Sequence, residues 1–117
     1  MSRSVAYSAI EAAIGRLRSA LRDDLLSVYL YGSLSDGTYQ ADQSDINLVA
    51  LVDNPLVIHQ VREVLRTSVW PKYGQTLKQT PLVATPAAFE RHLRLNPLLH
   101  DHFSRSGQLL FGNPVTL

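Results

Sequence analysis

With 117 residues and no cysteine, the chain has room for one hydrophobic core and excludes a disulfide scaffold, a thiolate metal site and a cysteine nucleophile. Eleven Lys and Arg against ten Asp and Glu leave a formal charge of +1, too small a bias to point to nucleic acid by electrostatics alone. Hydrophobic residues at 45% and charged residues at 18% are ordinary for a folded domain, and no apolar run approaches the roughly 20 residues that span a bilayer. The N-terminus leads into an amphipathic segment and not into a signal-peptide core, so the expectation is a cytoplasmic protein with a single domain over 1–117.

From Ser4 to about Leu21, Val5, Ile10, Ala13, Ile14, Leu17 and Leu21 recur at helical spacing, which predicts an amphipathic helix with Ser4 as N-cap, ending before Asp23-Asp24. Leu25 to Tyr31 is short and rich in β-branched and aromatic residues, and reads as a strand buried on both faces. Residues 32–43 carry turn chemistry: Gly32 and Gly37 among serines, threonine and aspartates. A second strand opens at Asp45 with polar and apolar residues alternating, turns wholly apolar by Val52, and is closed by Asp53-Asn54-Pro55.

Pro55 suits a first helical turn, and Leu56, Val57, Val61, Val64 and Leu65 supply the stripe of a helix to about Ser68. Trp70 to Gly74 reads as a loop, and Gln75 to Ala84 as a third strand broken at Pro81 and therefore at an edge. Thr85-Pro86 opens a short helix to Leu95 with Phe89 and Leu93 inward, and Asn96-Pro97 opens a last one that ends at Gly107. Leu109 to Gly112 is an apolar tail expected to dock on the core. Because strands alternate with helices, the fold class is α/β (α+β): a small mixed β-sheet with helices packed mainly on one face.

The informative stretch runs from Gly32-Ser33 through Gly37 to Ser44-Asp45-Ile46-Asn47. A glycine followed by a serine at a strand end allows a sharp turn in which backbone N–H groups and a hydroxyl meet a phosphate. Positions 45 and 47 share one face of the second strand, about 6.6 Å apart along it, so two carboxylates there could converge on a pair of metal ions about 3.5–4 Å apart.

Residues 31–52 resemble the signature of the nucleotidyltransferase superfamily, in which Gly-Ser, three residues and Gly are followed by Ser-Asp-x-Asp at the start of an apolar strand. The small members include minimal nucleotidyltransferases, often paired with a HEPN-domain protein, and the core of aminoglycoside adenylyltransferases. The resemblance implies transfer of a nucleoside monophosphate from a nucleoside triphosphate (NTP) to a hydroxyl with magnesium. It also implies catalytic and metal roles for Asp45 and Asn47, and nucleotide contacts from Gly32, Ser33, Gly37, Ser44 and Tyr39.

Two departures weaken that implication. Asn47 stands at the second acidic position, where an amide brings an oxygen but no charge and cannot take a proton. Between Trp70 and Phe89 there is no Asp or Glu to act as the third carboxylate that many members carry on a later strand. Asp36, Asp42, Asp53 and Glu90 are the remaining candidates, and none falls on the predicted metal face.

Three readings follow: a nucleotidyltransferase-like domain with weak or lost activity; a non-catalytic, antitoxin-like subunit that binds a HEPN-type partner or a second copy of itself; and an active enzyme with an unconventional second acid. His100 and His102 point about 200° apart on a helix and cannot share a metal ion. His59 and His92 lack partners at ligand spacing. Arg62, Arg66, Arg91, Arg94 and Arg105 fall on predicted helices, where a solvated face is the default. Tyr29 and Tyr31 read as core residues, and Trp70 as packing.

Overall fold

A computed structural model describes residues 2–32, 34, 37–40 and 46–114. Helix α1 (Ser2–Leu21) leads through a short 3-10 turn to strand β1 (Leu25–Tyr31), which is followed by β2 (Asn47–Val52). The chain then enters α2 (Ile58–Val64), a π-helical turn (Leu65–Val69) and α3 (Trp70–Leu77) without leaving a helical path. Strand β3 (Leu82–Ala84), α4 (Pro86–Leu95), α5 (Pro97–Ser106) and β4 (Gln108–Gly112) complete it.

The four strands form one mixed sheet in the order β3-β2-β1-β4. Strands β2 and β4 both run antiparallel to β1, and β3 runs parallel to β2. The C-terminal end of β1 therefore lies at the same end of the sheet as the N-terminal ends of the other three, and that end carries the site.

Alternation along the strands divides the core. Val28, Leu30, Leu48, Ala50 and Val52 face α1, α2 and α3, whereas Tyr29, Val49, Leu51 and Ala84 face α4 and α5. The first face is the larger and carries the three N-terminal helices. The second is built on Phe103, whose ring makes edge contacts with Tyr29, Tyr31 and Phe89 at 5.2–5.8 Å between centroids. Tyr29 is the core residue that the strand pattern predicts, whereas Tyr31 is only partly buried, packed against the edge of the same cluster.

Four expectations need correction. α1 begins at Ser2, so Ser4 lies inside it, where its carbonyl accepts the Ser8 hydroxyl; Val5 is exposed, and Ala6 and Ala9 take the inward positions. Trp70 to Gly74 is helix, not loop: Pro71 falls in the first turn of α3, directly after the π turn. A proline has no N–H for the carbonyl four residues back, and a widened turn passes that missing bond without ending the helix. The third strand shrinks to Leu82–Ala84, at the edge as expected.

The apolar tail docks as a fourth strand. Its seat is specific: the buried Ser27 hydroxyl donates to the Asn113 carbonyl at 2.7 Å, and Gly112 sits at φ +86°. A side chain at Gly112 would run into the Leu26 carbonyl oxygen. Gly112→Ala therefore has both a strained backbone and a backbone clash, and we expect it to cost more than about 2 kcal/mol in urea unfolding. Unchanged stability would mean β4 is not held against β1 in this register.

Candidate functional site at the strand ends

Four chain segments meet where β1 ends. The first is Gly32, at φ +90°, a conformation that a side chain rarely adopts. A Cβ there would lie 2.5 Å from the Asn47 Nδ2, so glycine is also what allows the asparagine to lie over the turn. The Gly32 N–H, the amide expected to face a phosphate, donates instead to the Ser106 hydroxyl at 3.0 Å. Ser106 in turn donates to the His102 carbonyl at 2.8 Å within the last turn of α5.

Asn47 opens β2 opposite Tyr31. Its Oδ1, the oxygen that would meet a cation, accepts a hydrogen bond from the Gln79 Nε2. Gln79 arrives there because α3 stops abruptly. Lys78 adopts φ +67° while its N–H bonds the Gly74 carbonyl at 2.8 Å, and the reversed chain delivers Gln79-Thr80-Pro81 to the start of β3. A non-glycine residue in this conformation costs on the order of 1 kcal/mol, so the helix end is paid for in strain. Gln79 thus stands at the entry to the third strand, the region in which a third carboxylate was expected and not found.

His102 completes the row, with its ring edge-on to Tyr31 at 5.7 Å between centroids and its Cε1 beside the Gly32 turn. Half-burial raises the Tyr31 phenol above the ordinary tyrosine range by desolvation, and Tyr39 is raised for the same reason. Tyr39 rests part of its ring on the larger core cluster. Gly37 is exposed in the turn at φ +90°.

The predicted site residues Ser33, Ser44 and Asp45 lie outside the described residues. Of those described, Gly32 and Asn47 are brought into contact. Gln79, Ser106 and His102 were missed, since nothing in their spacing marks them before the strand ends are aligned. The His100 and His102 pair does diverge: His100 is exposed and His102 half-buried on the site.

Magnesium favours anionic oxygens in octahedral array. The described donors here are two neutral amides, a hydroxyl and an imidazole, and the Asn47 oxygen is already engaged. Among the described residues no group of three or more His, Asp or Glu side chains could hold a metal ion. These described donors supply no anionic oxygen, and Asp45, the carboxylate expected at the site, lies outside the described residues.

No family model matches the sequence, and no curated protein matches it. Among solved structures, the chain is similar to one in the crystal structure of a toxin–antitoxin with AMP-PNP, at 24% identity over 88% of this chain and 73% of that chain, with a TM-score of 0.53. A chain in a mutant of the toxin–antitoxin MntA–HpeT matches at 24% identity over 89% and 72%, with a TM-score of 0.51. More distant is a protein described as a nucleotidyltransferase from Sulfolobus solfataricus, at 24% identity over 72% and 79%, with a TM-score of 0.36. At these identities the likeness to the toxin–antitoxin chains is one of fold alone.

The Ser106 hydroxyl ties α5 to the end of β1. Ser106→Ala should cost about 1–2 kcal/mol by leaving the part-buried Gly32 N–H unpaired, and should speed hydrogen exchange at that amide. Unaltered exchange at Gly32 would show that the bond does not hold the turn.

Proposed function

We propose that this chain is a nucleotidyltransferase-like domain with little or no metal-dependent nucleotidyl transfer, acting as the partner-binding, antitoxin-like subunit of a HEPN-type protein. The hydrogen bond between Asn47 and Gln79 carries the reading. Two amides satisfying one another occupy strand-end positions where the chemistry needs carboxylates that repel each other until cations come between them. Any magnesium held with the help of Asp45 is weakly bound, and an NTP at the Gly32 turn competes with Ser106 for the same N–H.

The partner half of the reading draws support from the junction of α4 and α5. Leu95 and Leu98 flank the Asn96-Pro97 corner at 74% and 88% exposed, apolar surface that the domain itself does not use. That the structures sharing the fold are toxin–antitoxin structures supports a second protein as the partner over a second copy of this chain.

The wild-type chain should transfer no detectable label from α-labelled ATP to a HEPN-type protein with magnesium, while binding that protein in size-exclusion chromatography. The double variant Asn47→Asp, Gln79→Glu should gain calorimetric magnesium binding by tenfold or more. Robust transfer by the wild type would sink the proposal. A dimer of the chain that ignores the HEPN-type protein would remove its partner half.

A further inference from the structure

We infer that the chain binds a small phosphate ester with an aromatic body, without a metal ion, in a cleft beside β3 whose anion-holding group is Arg62. The ligand class is that of a nucleoside monophosphate. The inference does not depend on whether the domain transfers nucleotides: the cleft borders the strand-end site through Tyr31 and Gln79, but its anion-holding group, Arg62, and its apolar hollow lie outside that site.

Two hollows adjoin at the open edge of β3. The first, about 350 Å³, is lined by the Tyr31, Gln79, Thr80 and His92 side chains among apolar neighbours, with Arg62 reaching in from α2. The second, about 260 Å³, lies between Leu65, Arg66 and Trp70, and is almost wholly apolar. Arg62 and Thr80 line both, so they form the seam. Either volume is at the lower end of small-molecule sites, which suits a phosphorylated metabolite and not a polymer.

Among the described residues neither hollow has an Asp or Glu in its lining, and Arg62 has no ion-pair or hydrogen-bond partner. The neighbouring Arg66 is bonded to Glu63, whereas Arg62, exposed at the seam, is left available to an anion. Among the described residues the Tyr31 hydroxyl likewise has no hydrogen-bond partner, and Tyr31 lines the cleft. A planar guanidinium flanked by a histidine, a threonine hydroxyl and a phenol presents donors in the fork that a phosphate accepts. The apolar hollow then offers the face or edge of Trp70 to an aromatic ring, whose stacking is worth about 1–3 kcal/mol. A fixed cation from the protein does here what magnesium does for a phosphate elsewhere.

Trp70 is the only tryptophan in the chain, so its fluorescence reports on the apolar hollow directly. The full chain is titrated with AMP, adenosine and inorganic phosphate in EDTA, with calorimetry in parallel. AMP should bind and change Trp70 emission, and inorganic phosphate should bind more weakly without that change. Adenosine should bind at least tenfold more weakly than AMP. Arg62→Ala, with its fold checked by circular dichroism, should weaken AMP at least tenfold; Arg62→Lys should recover part of it, and Arg105→Ala none of the loss. Equal affinity for AMP in wild type and Arg62→Ala, equal affinity for AMP and adenosine, binding only when magnesium is added, or no AMP binding at 10 mM (roughly the weakest affinity worth detecting) would each overturn the inference. None of those results bears on whether label is transferred.

Discussion

The structure depends on β1. It is the longest of the described strands, with β2 and β4 antiparallel on either side of it, and it is buried on both faces by two separate helical layers. That burial fixes which residues face which layer, since a slip of one residue would exchange Val28 and Leu30 for Tyr29 and Tyr31. It also fixes where the strand must stop. Gly32 ends β1 between Asn47 and α5, and every polar group of the site is positioned by that end.

Seen from Gly32 outward, the described polar groups of the site are paired. The Gly32 N–H is taken by Ser106, and the Asn47 oxygen by Gln79. An active phosphoryl-transfer site keeps such donors and acceptors open for substrate and cation, and holds charge that only a ligand neutralises. The cleft proposed for phosphate lies one strand over, past Gln79 and Thr80, where among the described residues Arg62 and the Tyr31 hydroxyl have no partner of their own. Lys78 connects the two regions, because its left-handed turn sends Gln79 toward Asn47 and leaves Thr80 on the cleft.

Much of the fold was legible in the sequence because local signals agreed with tertiary ones. Leu25 to Tyr31 had strand composition and became a central strand with those bounds, and Thr85-Pro86 and Asn96-Pro97 marked two helix starts. Trp70 to Gly74 misled because proline and glycine side by side read as a break, whereas a π turn carries the helix past Pro71. The tail at Leu109 was apolar and short, and only the space beside β1, with Gly112 and Ser27 to seat it, makes it a strand. Within the site, Gly32 and Asn47 stood in a recognisable motif. Gln79, Ser106 and His102 stand in none, being brought there by a helix end and by the return of α5 to the sheet. Arg62 read as a solvated helix residue, and His92 as one without a ligand partner; that both line one cleft with Thr80 is a property of space and not of spacing.

The proposed replacement of a cation site by neutral amides, with phosphate held elsewhere by protein charge, is tested most directly by a crystal structure of the chain soaked with AMP and manganese, with anomalous data collected for the metal. Phosphate density is expected within hydrogen-bonding distance of Arg62, with no anomalous peak at Asn47. An anomalous peak coordinated by the Asn47 side chain and bridging to the phosphate would contradict it.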